Sequence, residues 1–232
     1  MSNPQQNNAV NEWNEEIKRE RQAQQYPKWP NEVMLKLLFG GTDYLNHPFK
    51  PQPEWRVLDV GCGFANNLVP FADIGCECHC VDLHPEMAAT AQAVMDQRGF
   101  KTKIQAGSNR SLPYPDAHFD LLLSINTLHY EGSEENVMAA LKEFRRVLKP
   151  GGGLYLSTVG PEHEIYRRAQ VLGQHRYKVQ DFDFRDGHEF FFFDTERYLE
   201  HYCMQIFADV ETGRVTEKLV KLPLDFLIAL CR

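Results

Sequence analysis

The chain has 232 residues, of which 43% are hydrophobic, and it carries a formal net charge of −7. This length can bury one sizeable core, and the interspersed charges argue against a nucleic-acid backbone as the main partner. No apolar run approaches the ~20 residues of a membrane-spanning helix, and the polar, acidic N-terminus is unlike a secretory signal. The sequence therefore predicts one cytoplasmic domain over residues 1–232, with neither nucleic acid nor membrane as a partner.

The N-terminal part, residues 1–50, is predicted to form a helical cap. A polar, mixed-charge helical stretch comes first and is followed by a turn-prone YPKWP. Asn31 then precedes apolar residues at helical spacing and is predicted to cap that helix. A proline-rich connector over residues 46–55 leads into the rest of the chain.

The central part, residues 55–160, alternates between strand and helix patterns. The predicted strands are residues 56–60, 76–83, 101–107, 119–126 and 153–159, and the predicted helices lie near 67–74, 85–99 and 133–149. The fourth strand is apolar throughout, which suits a strand buried on both faces. Such alternation predicts an open parallel sheet with helices on both sides.

The C-terminal part departs from this rhythm. Residues 160–194 are long for a connection and are a candidate substrate lid. Residues 195–232 are predicted to form a helix and two strands, and the short connection between the strands favours an antiparallel pair. The predicted fold class is therefore α/β, with a Rossmann-like doubly wound sheet that is mostly parallel but has an antiparallel C-terminal strand.

Two glycines and two acids mark the ends of the first two predicted strands. Gly61 and Gly63 follow the first strand within VLDVGCGFANN, and glycine permits positive φ and close approach of a ligand to the backbone. Asp59 precedes the glycines, and Asp82 ends the second strand, where it can accept hydrogen bonds from a ribose. Open α/β sheets bind ligands at this edge. The glycines alone are equally compatible with a tight structural turn, but the combination predicts a pocket for an adenosine-bearing molecule.

The spacing also bears on which adenosine-bearing molecule is bound. A nicotinamide fingerprint reads G-x-G-x-x-G, and here the third glycine is replaced by Asn66. A side chain there would crowd a pyrophosphate, and Asp59 would repel it. An aspartate suits a cofactor with a cationic end and no phosphate, such as S-adenosylmethionine.

These segments resemble the class I S-adenosylmethionine-dependent methyltransferases, closely over about residues 55–160 and loosely over the terminal strands. The family motif D/E-x-G-x-G-x-G is met by Asp59-Val60-Gly61-Cys62-Gly63-Phe64-Ala65, with alanine in place of the last glycine. The segments VDLHPEMAATA, LPYPDAHFDLLLSINTLHY and FRRVLKPGGGLYLS follow in the family's order and spacing.

The resemblance implies a set of cofactor-binding residues. They are Asp59, Gly61, Cys62, Gly63, Asp82, Leu83, Met87, Ser108, Asn109 and Asn126. By this likeness Asp82 holds the ribose, Leu83 packs on adenine and Asn126 lines the methionine part. Where the family often has an aspartate that binds the adenine amino group, this chain has Ser108 and Asn109, either of which can accept that hydrogen bond.

The resemblance implies methyl transfer to an unidentified small-molecule acceptor. Such a transfer needs an aligned nucleophile more than acid–base groups. His129, beyond the fourth strand, is a candidate catalytic base, although structural packing is the favoured interpretation. Tyr130, Tyr166 and Arg167 are candidate acceptor contacts, and Arg167 is equally compatible with a solvated helix face.

Other interpretations concern metal binding and the type of function. Cys76, Cys78 and Cys80 share one face of a predicted strand while His79 points to the other. Common zinc sites use C-x-x-C pairs on turns, so buried apolar cysteines and no metal site are predicted. A nucleoside-cofactor-binding module or regulator without turnover is the alternative function. An NAD(P)-dependent oxidoreductase is disfavoured by the glycine spacing and by the lack of Tyr-x-x-x-Lys.

Overall fold

The computed structural model describes residues 29–40, 44–46, 49–182, 185–218 and 223–232. The mixed-charge stretch of the predicted N-terminal cap lies outside these residues. Helix α1 spans Glu32–Phe39, and the Asn31 side chain accepts a hydrogen bond from the Met34 amide at 2.8 Å. The predicted N-cap at Asn31 is thus confirmed.

The remaining elements follow in chain order. The strands are β1 (Arg56–Val60), β2 (Glu77–Asp82), β3 (Thr102–Ala106), β4 (Phe119–Ile125), β5 (Leu148–Val159), β6 (Gln170–Gly173), β7 (Arg176–Lys178), β8 (Glu189–Phe191), β9 (Val210–Lys218) and β10 (Pro223–Cys231). The helices are α2 (Val69–Asp73), α3 (Pro85–Gln97), α4 (Glu134–Val147) and α5 (Glu196–Met204).

The main sheet has seven strands in the order β3-β2-β1-β4-β5-β10-β9. Neighbours from β3 to β5 pair in parallel, whereas β10 is antiparallel to both β5 and β9. The predicted fold class and the antiparallel C-terminal pair are confirmed. The arrangement brings the carboxyl ends of β1, β2 and β4 to one edge of the sheet.

Local patterns were less accurate at two element boundaries. The helix predicted near residues 67–74 is a 3-10 turn over Asn66–Leu68 followed by the five-residue α2. The helix predicted to reach Lys149 ends at Val147, and β5 begins at Leu148, five residues before the predicted strand. Pairing of Phe119 with Leu148 extends the sheet past Pro150 across an irregularity in the register. Tertiary pairing therefore overrides the local glycine and proline signals.

Each face of the sheet packs against a different set of helices, because successive side chains of a strand point to opposite faces. Val57 of β1 lies in one core with residues of α1, α2 and α3. Leu58 and Val60 lie in the other core, with residues of α4 and α5. Strand β4 contributes to both cores, as its continuous apolar run predicted.

The candidate lid, residues 160–194, contains a small antiparallel sheet in the order β6-β7-β8. Beside it, Val159, Ile165, Val179 and Phe190 form a separate buried cluster at the end of β5. This apolar cluster attaches the segment to the carboxyl edge of the main sheet.

The cysteine-rich segment formed by Cys76 and strand β2 turns its thiols into the core. Cys76, Cys78 and Cys80 pack in the core that contains Val57, while the His79 ring lies on the opposite face, 5.1 Å from the Phe119 ring. No group of three or more potential metal ligands occurs among the described residues. Within the same ranges, no helix has the length and apolar character required to cross a membrane.

Candidate functional site

The turn after β1 uses left-handed backbone at three positions. Gly61, Gly63 and Ala65 have φ angles of 73°, 52° and 58°. A Cβ at Gly61 would lie 2.3 Å from Cγ2 of Thr127, so internal packing alone requires glycine there. A Cβ at Gly63 would meet nothing within 4 Å. Of the two glycines, therefore, Gly63 is the one that leaves open space for a ligand beside bare backbone.

Asp82 fixes this turn from the end of β2. Its side chain is buried, and its two oxygens accept hydrogen bonds from the amides of Gly63 and His84, each at 3.2 Å. Burial raises the pKa of Asp82, and the hydrogen bonds from these amides partly offset that effect. The sequence predicted a ribose-binding role for Asp82 but not its contact with Gly63.

Asp59 is a buried carboxylate without a partner. Its side chain is 1% exposed, and neither oxygen has a hydrogen-bonding partner within the described part of the chain. Burial raises the pKa of Asp59 to about 7, the nearby Asn67 amide lowers it, and the charge of Asp82 raises it further. The Asn67 side chain is near enough to lower the pKa of Asp59 but does not form a hydrogen bond with either carboxylate oxygen. A buried carboxylate of this kind fits a ligand that brings a positive charge.

The predicted adenine-binding residues lie beside Asp82. Leu83 is 60% exposed, whereas Met87 is buried against Phe64 and Val94 beneath the turn. Leu83 thus offers apolar surface to a ligand, and Met87 supports the turn from below. Cys62, in the same turn, is buried in the core on the other side.

The segment after β3 completes this edge. The amides of Ser108 and Ser111 each donate to the other's carbonyl oxygen, at 3.2 and 3.0 Å, which places Asn109 at the tip of a tight turn. The Asn109 amide group donates from Nδ2 to Oε1 of Glu131 at 2.9 Å. No sequence pattern predicted a role for Glu131, because the contact joins segments 22 residues apart.

Asn126 lies where β4 ends, with a φ of 57°. Its amide donates to the carbonyl oxygen of Ser157 at 2.9 Å, and its Oδ1 accepts from the Ser157 hydroxyl at 3.2 Å. These two bonds tie the carboxyl ends of β4 and β5 together and fix Asn126 at the edge of the sheet.

His129 is enclosed. It is 2% exposed, its Nδ1 lies 3.1 Å from the Thr158 hydroxyl, and its ring packs against those of Tyr130 and Phe190. Burial lowers the pKa of His129 well below its usual value, and the charges of Arg185 and His163 lower it further. The geometry favours the packing interpretation over a base in contact with an acceptor.

The three candidate acceptor contacts separate into two groups. Tyr130 and Tyr166 pack on the cluster around Val159 and Phe190 at the end of β5. The side chain of Arg167, in contrast, is 67% exposed and pairs with Glu164 at 3.1 Å. Arg167 therefore lies on the surface, apart from the two tyrosines.

Known proteins resemble this chain in sequence and in fold. Residues 58–156 match the family model of a methyltransferase domain. The uncharacterized methyltransferase YcgJ of Bacillus subtilis is 34% identical over 104 residues, 44% of this chain and 40% of that protein. The sterol 4-C-methyltransferase strm-1 of Caenorhabditis elegans is 34% identical over 128 residues, 54% of this chain and 37% of that protein. The chain thus spans about two fifths of the length of these curated relatives.

A solved structure extends the similarity to the fold. A SAM-dependent methyltransferase from Methanosarcina mazei superposes with a TM-score of 0.64 at 20% identity, covering 78% of this chain and 93% of that one. The family model and the fold agree with the glycine turn and the acid at the end of β2. Residues 58–156 are therefore similar in sequence to methyltransferase domains, and the chain has the fold of the Methanosarcina mazei protein.

Proposed function

We propose that this protein binds S-adenosylmethionine and transfers its methyl group to a small-molecule acceptor. The observation that carries the proposal is the unpartnered, buried carboxylate of Asp59 beside the open backbone of Gly63. S-adenosylmethionine has an ammonium group to neutralise such a carboxylate and has no phosphate for it to repel.

The proposed binding residues divide the cofactor among them. Asp82 accepts hydrogen bonds from the ribose hydroxyls, Leu83 covers the adenine, and Asn126 lines the methionine part. Asp59 and the turn at Gly63 serve the cationic amino-acid end. When bound, the cofactor supplies a methyl group on a sulfonium whose leaving group is a neutral thioether.

The contribution of the protein to the transfer is mainly alignment of the acceptor and exclusion of water. Tyr130 and Tyr166 pack at the end of β5, where the acceptor is proposed to bind. His129 is enclosed and its pKa is lowered by burial, so we assign it a packing role and propose no general base. A nucleoside-binding module without turnover is the alternative to this proposal.

Ligand stabilisation tests the cofactor. Thermal shifts are measured with S-adenosylmethionine, S-adenosylhomocysteine, NADH and NADPH, since a ligand that binds only the folded state raises the melting temperature. We expect stabilisation only by S-adenosylmethionine and S-adenosylhomocysteine, and stabilisation by a nicotinamide cofactor alone contradicts the proposal.

Transfer of a labelled methyl group into a metabolite panel then tests turnover, and cofactor binding with no transfer to any acceptor supports the binding module.

Asp82→Ala tests the proposed ribose contact. We expect the affinity for S-adenosylhomocysteine, measured by calorimetry, to fall by ~1.5–3 kcal/mol, the scale of hydrogen bonds to a charged group. Asp73→Ala is the matched control, because Asp73 is exposed at the end of α2. An unchanged dissociation constant for Asp82→Ala removes this residue from the site.

A further inference from the structure

The turn over residues 108–111 is held against the end of β2. The Gly107 amide donates to the carbonyl oxygen of Asp82 at 2.9 Å. A Cβ at Gly107 would lie 2.9 Å from Cγ1 of Val81, so this loop packs closely on β2. The mutual backbone bonds of Ser108 and Ser111 close the turn. Asn109 and Arg110 therefore form its tip.

The tip reaches across the sheet. Strands β2 and β1 lie between β3 and β4, yet both tip residues contact Glu131, which ends the 3-10 turn after β4. Asn109 donates to Oε1 of Glu131 at 2.9 Å, and Arg110 Nε lies 2.9 Å from its Oε2. The contact thus bridges the carboxyl ends of β2 and β1, where Asp82 and Gly63 lie, and Asn109 forms part of the rim of the proposed cofactor site.

Glu131 determines which way the Asn109 amide faces. An ionised carboxylate only accepts hydrogen bonds, so Asn109 must present Nδ2 to it. Burial raises the pKa of Glu131, and the hydrogen bond from Asn109 and the charge of Arg110 only partly offset that effect. Each Glu131 oxygen nevertheless faces a donor nitrogen, so both oxygens act as acceptors. The Glu131 backbone is also fixed, because Asn136 Nδ2 donates to its carbonyl oxygen at 3.0 Å. The Oδ1 atom of Asn109 is left without a partner among the described residues.

We propose that Glu131 is a positioning residue that turns the Asn109 carbonyl oxygen toward the purine of the cofactor and so selects a 6-amino over a 6-oxo purine. The inference rests on the proposed function. The adenine amino group donates a hydrogen bond that Asn109 Oδ1 accepts, whereas a 6-oxo group presents a second acceptor to it. The side chain of Glu131 is 10% exposed, so water competes poorly for its oxygens.

Glu131→Gln tests this role. A glutamine at 131 both donates and accepts, so Asn109 is free to flip, and a flipped amide would pair with a 6-oxo group. Calorimetry gives the affinities for S-adenosylhomocysteine and S-inosylhomocysteine, and we expect the adenosyl-to-inosyl ratio to fall about tenfold, the worth of one hydrogen bond. Glu135→Gln is the control, since Glu135 is exposed at the start of α4, and its ratio should match that of the parent protein.

A rescue variant separates positioning from damage to the fold. In Asn109→Asp/Glu131→Gln the donor and acceptor exchange places: the new glutamine donates to the new aspartate, whose other oxygen accepts from adenine. The ratio should return to that of the parent protein. An unchanged ratio in Glu131→Gln, or no recovery in the double variant, overturns the inference. Failure of the parent protein to bind S-adenosylhomocysteine overturns the proposed function instead.

Discussion

At the scale of single residues, Asp59 and Asp82 experience burial differently. Both lie at the carboxyl edge and are almost fully buried. Asp82 recovers part of the cost through two backbone amides that also shape the turn. Asp59 has no such bonds, so its ionised form is unfavourable in the free protein. Conflicts of this kind between a residue and its surroundings are expected where a ligand completes the interaction.

Asp59→Asn should change how stability depends on pH. Because the pKa of Asp59 is raised to about 7 when folded, the native state keeps its proton while the unfolded state loses one above ~pH 4. The contribution of the protonated Asp59 to the free energy of unfolding is therefore complete below ~pH 4, and it is lost as the pH rises toward 7. Asparagine does not titrate, so the free energy of unfolding of the variant relative to the parent should rise by ~2–4 kcal/mol between pH 4 and 7.

Urea denaturation at a series of pH values measures this difference. Asp96→Asn serves as the control, because Asp96 is exposed on α3 and its replacement removes a carboxylate from the surface rather than from the buried edge of the sheet. A relative stability that is constant from pH 4 to 7 contradicts a raised pKa at Asp59 and, with it, the argument for a cationic ligand.

At the scale of elements, the turn after β1 combines two glycines with different causes. Gly61→Ala meets Thr127 and keeps a left-handed φ of 73°, so we expect a loss of about 2–4 kcal/mol in the free energy of unfolding. Gly63→Ala adds a methyl group into open space at a φ of 52°. Gly63→Ala should lower the free energy of unfolding by about 1 kcal/mol. The affinity for S-adenosylhomocysteine should fall about tenfold or more, because the new methyl group occupies space proposed for the ligand.

Gly99→Ala is the matched control for Gly63→Ala. Gly99 also has a left-handed φ, 78°, and open space at its Cβ position, but it lies between α3 and β3 and is not part of the turn after β1. We expect Gly99→Ala to lower the free energy of unfolding as much as Gly63→Ala does, without any change in the affinity for S-adenosylhomocysteine. If Gly63→Ala and Gly99→Ala bind the ligand equally well, the glycine at position 63 is structural and the turn offers no ligand surface.

The same turn shows how far sequence reasoning reaches. The strand, the glycines and Asp82 are marked by local patterns, and the alternation of elements predicts a parallel sheet whose strand ends share one edge, so the position of the site could be predicted. The clash that requires Gly61 involves Thr127, 66 residues later, and the Asn109–Glu131 bond crosses the two strands β2 and β1. Such contacts depend on packing across the sheet, which local periodicity does not encode.

At the scale of the whole molecule, the C-terminal hairpin completes the sheet beside β5. Asp225 is fully buried at the start of β10, and Arg214 of β9 donates to both of its oxygens at 2.7 and 3.0 Å. The Glu162 amide donates to the same carboxylate at 2.7 Å. Burial alone would raise the pKa of Asp225, but the hydrogen bonds from Arg214, Glu162 and Thr216 outweigh it and lower the pKa. One carboxylate thus joins β9, β10 and the segment after β5.

Arg214→Met tests this junction, because it leaves the Asp225 carboxylate buried without its cation. We expect a loss of about 3 kcal/mol in the free energy of unfolding at pH 7, as for other broken buried pairs. Because the pKa of Asp225 is lower in the folded than in the unfolded state, the pair stabilises the protein fully at pH values above the unfolded-state pKa. This stabilisation is lost as the pH falls through the folded-state pKa. The deficit of the variant should therefore shrink toward ~pH 4 and below.

Arg176→Met is the control, since Arg176 and Glu189 form a half-exposed pair with both side chains 47% exposed, and it should cost at most ~1 kcal/mol. Equal losses for the two variants at pH 7 would mean that the hairpin is held by β-pairing and apolar packing, with Asp225 contributing no more than a surface ion pair.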